Sequence, residues 1–167
     1  MSEAPQRKNK QTEKAERANV RFPLWRKKVD NSIFRNSGTT ILNWVCRVWQ
    51  FDAVFPGILK SNDPAASVAV RFEERTYTGR VVSTHPEGRA NKVYRYYFDE
   101  ALLRRLKEVF LMSHMRDLES RLRKDTTDLE TQTPFWEFLD IEFDAEKKVF
   151  HLTAHYKQTP TFAELFK

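Results

Sequence analysis

The sequence contains one cysteine, Cys46, so it has neither an internal disulfide nor a zinc site built from several thiolates. Only four glycines occur, and no phosphate-binding glycine motif is present. No apolar run approaches the roughly 20 residues of a membrane span, and the N-terminus lacks the apolar core of a signal peptide. These absences predict an intracellular protein, in the cytoplasm or in a eukaryotic nucleus, with no membrane association and no bound cofactor.

Positive charge is in excess over negative charge. The 167 residues have a formal net charge of +6 and a pI of about 9.5, which favours a polyanionic partner. Residues 125–167 contain nine carboxylates and four cations, a net charge of −5, so the other 124 residues carry +11. Many proteins without such a partner are mildly basic, so charge alone leaves both interpretations open.

Two polar, basic segments stand between strand-like stretches, at residues 26–40 and 83–92. Both combine Arg and Lys with Asn, Ser and Thr. Cations hold phosphates, while the forked and amide side chains of Arg and Asn match base edges in the grooves of nucleic acids. Solvated loops have the same composition, so the pattern suggests nucleic-acid binding and leaves an ordinary loop as the alternative.

Apolar periodicity predicts an α+β fold: a mostly antiparallel, barrel-like sheet with one long amphipathic helix and a C-terminal hairpin. Residues 1–19 have no large apolar side chain after Met1, so we expect a disordered basic arm followed by one domain at 20–167. The predicted elements are a strand running into a first polar loop, a return strand at 39–41, a short helix from about Trp44, strands near 68–72, 77–82 and 93–98, a long helix, a polar connector at 125–134, a hairpin at 135–156 with its turn at 144–148, and a closing helix at 161–167.

The longest predicted element is a helix from Glu100 to Arg123. Asp99 is a natural N-cap, and neither Pro nor Gly interrupts the segment. Apolar residues recur at helical spacing and are expected to face the core: Leu103, Leu106, Phe110, Met115, Leu118 and Leu122. The basic residues of the last turn suit the helix dipole better than a phosphate site.

Two observations argue against a metal site and a reactive thiol. His151 and His155 would share one side of a helix, but their segment is predicted to be a strand, in which four residues span roughly 13 Å. The two imidazoles would then be too far apart to bind one zinc ion. Cys46 lies in an apolar stretch and is expected to be a buried thiol of the core.

Catalytic patterns are weak. Asp140 and Glu142 share one face of a predicted strand, for which an acidic outer surface is a simpler interpretation than a metal-dependent nuclease site. Ser83 and His85 are close in sequence, but strand alternation alone is enough to align them by accident, and no nucleophile elbow is present. The sequence therefore predicts a protein that is not an enzyme.

A further pattern covers residues 24–98. Residues that stand in matching order are Lys28, Val29, Ser32, Gly38, Ile41, Phe55 and Pro56. In this order the segment resembles the pseudobarrel DNA-binding domain that a large class of plant transcription factors shares with the effector domains of some restriction endonucleases. The resemblance implies non-catalytic binding of double-stranded DNA by two loops that act as arms in the major groove, as in the recognition subunit of a restriction or regulatory system.

The resemblance assigns candidate nucleic-acid-binding residues by position. The first arm would carry Lys28, Asn31, Ser32, Arg35, Asn36 and Thr39, with Lys27 beside it; the second would carry Ser83, His85, Arg89, Asn91, Lys92 and Arg95. Arg35 and Arg89 would contact guanine, and Asn36 and Asn91 would contact adenine. Lys27, Lys28 and Lys92 would hold phosphates. For each residue the alternative is a solvated loop position.

Three other functions remain open on the sequence alone. An assembly or adaptor subunit would use its basic face and its acidic C-terminal segment to meet different protein partners. An RNA-binding protein would use exposed aromatic residues of the sheet, for which Tyr97 is the best candidate. A small nuclease would use Asp140 and Glu142.

Overall fold

The computed structural model describes residues 22–123 and 137–156. Within them the elements are β1 (Leu24–Lys28), α1 (Asn31–Arg35), β2 (Gly38–Ile41), α2 (Asn43–Val48), α3 (Phe51–Val54), a 3-10 turn (Pro64–Ala66), β3 (Ser67–Phe72), β4 (Arg75–Thr84), β5 (Val93–Phe98), α4 (Glu100–Val109), α5 (Leu111–Arg123), β6 (Phe138–Asp144) and β7 (Val149–His155). The basic arm at 1–19, the connector at 125–134 and the closing helix at 161–167 lie outside the described residues.

The strands form one sheet of seven in the order β1-β6-β7-β3-β4-β5-β2. Every neighbouring pair is antiparallel except β3 and β7, which pair in parallel. The predicted α+β class, with its mostly antiparallel and barrel-like sheet, is confirmed. The sheet is curled, and its two edge strands are β1 and β2, which α1 joins in the chain. We call the space between these two edges, next to α1, the seam.

Aromatic side chains fill the inside of the curl. Tyr96 of β5 stacks on Phe150 of β7 with ring centroids 4.3 Å apart, and Phe143 of β6 lies 4.6 Å from the same ring. Phe51 of α3 packs edge-on against Phe143 at 5.1 Å. These contacts bury large apolar surfaces and bring the middle of the sheet against the short helices, which is where most of the folding free energy is expected to arise.

The long helix predicted at 100–123 is instead two helices. Asp99 caps the first one as expected, because its side chain accepts a hydrogen bond from the backbone N–H of Leu102 at 2.7 Å. The helix then breaks at Phe110, whose ψ of 53° is far from the helical value. Leu103 and Leu106 of α4 are buried as predicted.

In α5 the prediction of the buried face is wrong. Met115, Leu118 and Leu122, expected in the core, are 55%, 44% and 84% exposed. The buried residues of this helix are instead polar: Ser113, Asp117 and Ser120. They face the domain because a buried carboxylate and an arginine from other elements supply their hydrogen-bond partners there, as described below.

Two further elements bear on the predictions. The short helix expected from Trp44 is divided into α2 and α3 by Gln50, which has a left-handed φ of 54°. The C-terminal hairpin is confirmed, with β6 and β7 paired up to Asp144 and Val149. Asp144 closes its turn by accepting hydrogen bonds from the backbone N–H groups of Glu146 and Lys147, each at 3.1 Å.

Candidate nucleic-acid interface

The first polar segment is not the projecting loop that the sequence predicted. Asp30 caps α1 by accepting a hydrogen bond from the backbone N–H of Ser32 at 3.1 Å, and Ile33 and Phe34 are buried. The N-cap preference of Asp and the two apolar residues together explain why a single helical turn forms here. Asn31 is half-buried on this helix, and only part of the segment faces solvent.

Arg35 forms an ion pair in which only the partner carboxylate is buried. Its Nε lies 3.0 Å from the buried carboxylate of Asp117, and its guanidinium also donates to the hydroxyl of Ser120. Because both partners lie on α5, Arg35 fastens α1 to that helix. Arg35 therefore has a structural contact, and its contact with guanine stays a prediction.

Lys27 is also less exposed than a phosphate contact requires. Its side chain is 4% exposed, and its ammonium group lies 3.3 Å from the carboxylate of Asp30. Lys28 follows on the opposite face of β1 and is half-buried. Lys27 therefore contributes positive charge to the seam from within, whereas Lys28 reaches the outer surface.

A cavity of about 220 Å³ opens at the seam. Its lining consists of Lys27, Ser32, Asn36, Gly38, Thr39, Thr40, Leu42, Arg95 and Tyr97. Five of the thirteen predicted binding residues meet here: four belong to the first polar segment, and the fifth is Arg95 of β5. Among the described residues, the lining contains two cations and no carboxylate. An anion would therefore find positive charge together with hydroxyl and amide groups that can donate hydrogen bonds.

Gly38 is required by the close approach of β2 to β5 at this cavity. A Cβ atom at this position would lie 2.1 Å from the carbonyl oxygen of Tyr96, which is backbone and cannot move aside easily. Thr39 and Thr40 follow on β2, where Thr40 pairs in register with Arg95. The glycine thus allows the edge strand to present Thr40 next to Arg95.

The second polar segment does form an exposed hairpin turn between β4 and β5. The backbone N–H of Arg89 donates to the carbonyl of Pro86 at 3.2 Å, and Gly88 supplies a positive φ of 76° inside this turn. A ring nitrogen of His85 lies 2.9 Å from the carbonyl oxygen of Arg89. The side chains of Arg89 and Asn91 are exposed on an ordered turn.

Two predicted residues of the second segment have structural roles instead. Ser83 is buried, and its hydroxyl accepts from the backbone N–H of Leu59 at 2.9 Å. Lys92 donates to the carbonyl of Gly57 at 3.0 Å and lies 3.4 Å from the carboxylate of Asp52. Both side chains fix the hairpin to the segment after α3, so the prediction that they contact nucleic acid directly is not supported by their surroundings.

The two polar segments lie at opposite ends of β5. Phe98 at its C-terminal end donates its backbone N–H to the carbonyl of Ser37 at 2.8 Å, whereas Val93 at its N-terminal end pairs with Thr84 beside the hairpin turn. Six strand residues span about 17 Å. The two segments therefore lie about one strand length apart, and Arg95 lies between the two ends and joins the residues of the first segment.

The outer face of β2, β5 and β4 connects the two ends. Arg95 and Thr40 are exposed in one cross-strand row, and Tyr97 and Arg80 are paired in the next row. Thr40 and Arg80 were not among the predicted binding residues. Val81 is buried, and strand alternation therefore puts its neighbour Arg80 on the outer face. The position of Arg80 beside Tyr97, however, follows only from the strand pairing.

Asp140 of β6 is not an open carboxylate of the kind that a nuclease site needs. Asp140 is buried, accepts a hydrogen bond from Nε of Arg26 at 2.8 Å and lies 2.8 Å from a ring nitrogen of His155. The solvated acidic face predicted for Asp140 is therefore wrong. Its oxygens are already held by a guanidinium and an imidazole, which leaves them poorly placed to bind a catalytic metal ion.

The histidines considered as metal ligands and the cysteine considered as a nucleophile are placed away from any such role. His151 stacks on Phe22 at a centroid distance of 5.4 Å, away from the Asp140 contact of His155. Among the described residues, no group of three or more His, Cys, Asp or Glu side chains is placed to hold a metal ion. Cys46 is half-buried, and burial raises the pKa of its thiol to about 12, which disfavours the reactive thiolate.

Comparisons with known proteins leave the function to be argued from this surface. No protein-family model matches the chain, and neither the curated proteins nor the solved structures gave a match. No helix in the described part of the chain is long and apolar enough to cross a membrane.

Proposed function

We propose that this protein binds double-stranded DNA without catalysing a reaction, using the outer face of β2, β5 and β4 and the hairpin turn after β4. The observation that carries the proposal is the seam cavity, where the exposed Arg95 of β5 meets hydroxyl and amide groups of the first polar segment, with the buried Lys27 behind them. A backbone phosphate fits this chemistry, because cations and neutral donors position the duplex together.

The proposed surface has the length that a groove requires. From the seam cavity to the hairpin turn, the outer face follows β5 for about 17 Å, which exceeds the roughly 12 Å width of a major groove. A duplex lying along β5 would have phosphates at Arg95 and at Lys28. Arg89 and Asn91 on the turn would then face base edges, to guanine and adenine respectively. Asn36 remains the adenine candidate at the other end.

The resemblance to the pseudobarrel DNA-binding domain supports the same ligand, because a curled, mostly antiparallel sheet is what that family implies. In such a setting the protein would be the recognition subunit of a restriction or regulatory system. The proposed binding mode differs from the family's two arms, because the first segment contains α1 and one face of the sheet contacts the duplex.

The test compares duplex DNA, single-stranded DNA and RNA in a fluorescence-anisotropy titration across a salt series. We expect the duplex to bind best and its affinity to fall steeply with salt. Arg95→Ala should weaken duplex binding about tenfold and reduce the salt slope by about one. Arg75→Ala is the matched control, because Arg75 is exposed at the far end of β4 and alternates to the other face.

Equal effects of Arg95→Ala and Arg75→Ala would contradict the proposed surface. Absence of salt-dependent binding by the wild-type protein would overturn the function itself. Stronger binding of single-stranded RNA than of duplex DNA would select the RNA-binding alternative, with Tyr97 as the stacking residue.

A second candidate function, an assembly or adaptor subunit, is favoured by one specific observation. Helix α5 exposes Leu111, Met115, Leu118 and Leu122 on one side, although each is a large apolar residue. Contiguous apolar surface of this kind marks protein contacts more often than nucleic-acid contacts. Co-purification of one stoichiometric protein partner, without nucleic-acid binding at low salt, would support this function over DNA binding.

A further inference from the structure

A network of polar contacts lies behind the hairpin turn, where the start of β5 meets α3. The carboxylate of Asp52 on α3 accepts a hydrogen bond from the hydroxyl of Tyr94 at 2.6 Å and lies 3.4 Å from the ammonium group of Lys92. We propose that Asp52 is a positioning residue for the hairpin turn, on which it acts through Lys92. It sets the direction in which Arg89 and Asn91 project toward base edges, so the role rests on the duplex binding proposed above.

Both sides of the hairpin stem are fixed to one backbone carbonyl. On the β4 side, the hydroxyl of Ser83 lies 3.4 Å from the carbonyl oxygen of Gly57. On the β5 side, the ammonium group of Lys92 donates to the same oxygen at 3.0 Å. Ser83 is short and buried, and it also exchanges two hydrogen bonds with the backbone of Leu59. The β5 side depends instead on a long side chain with much rotamer freedom to lose, so a second partner is needed to hold it.

Asp52 is suited to be that second partner. Its carboxylate is fixed by Tyr94, whose ring is buried and packs edge-on against Phe51 at a centroid distance of 5.2 Å. The hydrogen bond from Tyr94 lowers the pKa of Asp52, which keeps the carboxylate charged at neutral pH. A charged acceptor holds an ammonium group more strongly than a neutral one does. The ammonium group of Lys92 is therefore held between two acceptors that both belong to the α3 side of the contact.

The bonds inside the turn fix its shape but not its direction. The backbone N–H of Arg89 donates to the carbonyl of Pro86, and the ring of His85 contacts the carbonyl oxygen of Arg89. The direction of the turn relative to the sheet is set where it joins β5, next to Lys92. A side chain that reads a base edge must be held to within about 0.5 Å, whereas a cation attracts a phosphate over a longer range. Loss of the Asp52 contact should therefore reduce base reading more than phosphate binding.

The charge of Asp52 has a second effect on a bound duplex. A cavity of about 40 Å³ beside the turn is lined by Asn43, Arg47, Asp52, Asn91, Lys92 and Tyr94. Asp52 supplies the one carboxylate of this lining, between two cations, and its side chain is 81% exposed. A phosphate that approaches the turn is therefore repelled by Asp52. Removal of the carboxylate should help any duplex to bind, although it loosens the turn that reads the bases.

Anisotropy titrations of the full chain with two duplexes test the role, one selected from a random pool and one unselected. Asp52→Ala should weaken binding of the selected duplex about tenfold, because base contacts are misplaced. The same variant should bind the unselected duplex as tightly as the wild type or up to about threefold more tightly, because a negative charge is removed. A general loss of folded structure would instead weaken the binding of both duplexes.

Glu74→Ala is the matched control for the charge. Glu74 is also an exposed carboxylate, but it lies in the turn between β3 and β4, at the other end of β4 from the hairpin turn. Its removal should leave the ratio of the two affinities unchanged.

Lys92→Met tests the residue through which Asp52 acts. It should lose preference for the selected duplex as Asp52→Ala does and leave the salt slope unchanged, because its ammonium group is used internally. The double variant should lose no more preference than either single variant, since both remove one contact.

Three results would each decide against this account. An unchanged ratio of the two affinities in Asp52→Ala, with normal duplex binding, would overturn the positioning role and leave the proposed function standing. Equal weakening of both duplexes by Lys92→Met, with a salt slope reduced by about one, would make Lys92 a phosphate contact and would overturn the role as well. A wild-type chain that binds no duplex would reject the proposed function itself, and the role of Asp52 with it.

Discussion

The guanidinium of Arg35 lies 3.0 Å from the buried carboxylate of Asp117 and ties α1 to α5. Arg35 stands in a segment whose composition is typical of a nucleic-acid-binding loop, and Asp117 stands on a helix that apolar spacing alone would turn the other way. One contact therefore explains two departures from the sequence-based expectation: the first polar segment is anchored, and α5 buries its polar side.

The first prediction concerns the stability provided by this pair. We expect Arg35→Ala to lower the unfolding free energy by about 1–3 kcal/mol, because a buried carboxylate loses one of its cations. The loss stays moderate, since Arg121 remains 2.8 Å from Asp117. Urea unfolding followed by circular dichroism measures the effect. Duplex affinity, measured where both proteins are folded, should change by less than about threefold.

Arg104→Ala provides the control for that measurement. Arg104 pairs with Glu100 on the surface of α4, where both side chains are largely exposed, so its loss should cost under about 0.5 kcal/mol. If Arg35→Ala were as stable as Arg104→Ala and bound its preferred duplex tenfold more weakly, Arg35 would be a base contact after all.

Much of the sheet could be predicted from the sequence because strand alternation is a local signal. The β6–β7 hairpin, the β4–β5 hairpin and the Asp99 cap all follow from residues within a few positions of one another. The parallel pairing of β3 with β7 could not be predicted, because it joins segments about 80 positions apart in the chain. That pairing sets the strand order and hence which strands form the edges of the seam.

The candidate site could be predicted only in its composition. The sequence indicated polar and basic residues in two segments, but it could not show that Arg95 meets Ser32 and Asn36 in one cavity. Nor could it show that Ser83 and Lys92 are used internally, since their partners are backbone groups of residues 57 and 59. Polar residues that satisfy buried backbone atoms look the same in a sequence as polar residues that face a ligand.

The second prediction concerns pH. Burial raises the pKa of Glu137 above its ordinary value of 4.5, and hydrogen bonds from Ser113 offset only part of this rise. Between the ordinary pKa and the raised pKa of the folded state, the folded protein holds the proton of Glu137 more tightly than the unfolded chain does. The unfolding free energy therefore falls as the pH rises through the folded pKa. Below the ordinary value both states are protonated, and the stabilising difference is fully present.

Glu137→Gln tests this pH dependence. The amide oxygen can still accept the two hydrogen bonds from Ser113, while the ionisable group is removed. We expect the unfolding free energy of the variant to fall less between pH 4.5 and pH 7 than that of the wild type, by on the order of 1 kcal/mol. Glu108→Gln, at an exposed surface pair, should follow the wild type. Parallel curves for Glu137→Gln and wild type would refute this account.

The third prediction uses Tyr97 to separate duplex binding from single-strand binding. Tyr97 is half-buried between the seam cavity and Arg80, so its ring can stack only on a base that has left a duplex. We expect Tyr97→Leu to change duplex affinity by less than about threefold, because phosphate contacts by Arg95 remain. Titrations with labelled duplex and labelled single strands measure both ligands, with Tyr97→Phe as the control that keeps the ring.

A loss of about 1–3 kcal/mol in the binding of single strands by Tyr97→Leu, with little change in duplex binding, would show that Tyr97 stacks on the bases of single strands. It would also show that this stacking contributes little to duplex binding. If the loss were equally large for duplex DNA, then base unstacking would have to be part of recognition. The surface would in that case resemble a single-strand platform more than a groove-binding face.

The last prediction concerns Arg89, which the hairpin turn holds at its exposed end. The turn is fixed by the bond from Arg89 to Pro86 and by the contact of His85 with the Arg89 carbonyl, so the guanidinium projects from an ordered backbone. A side chain that reads guanine needs its two parallel donors, whereas a side chain that holds a phosphate needs mainly its charge. Arg89→Lys separates these roles because it keeps the positive charge and removes the two parallel donors.

On a duplex selected from a random pool, we expect Arg89→Ala and Arg89→Lys each to lose about 1–3 kcal/mol of binding free energy. On unselected duplex only Arg89→Ala should weaken binding. Wild-type affinity of Arg89→Lys for the selected duplex would make Arg89 a phosphate contact and move sequence reading to another part of the surface.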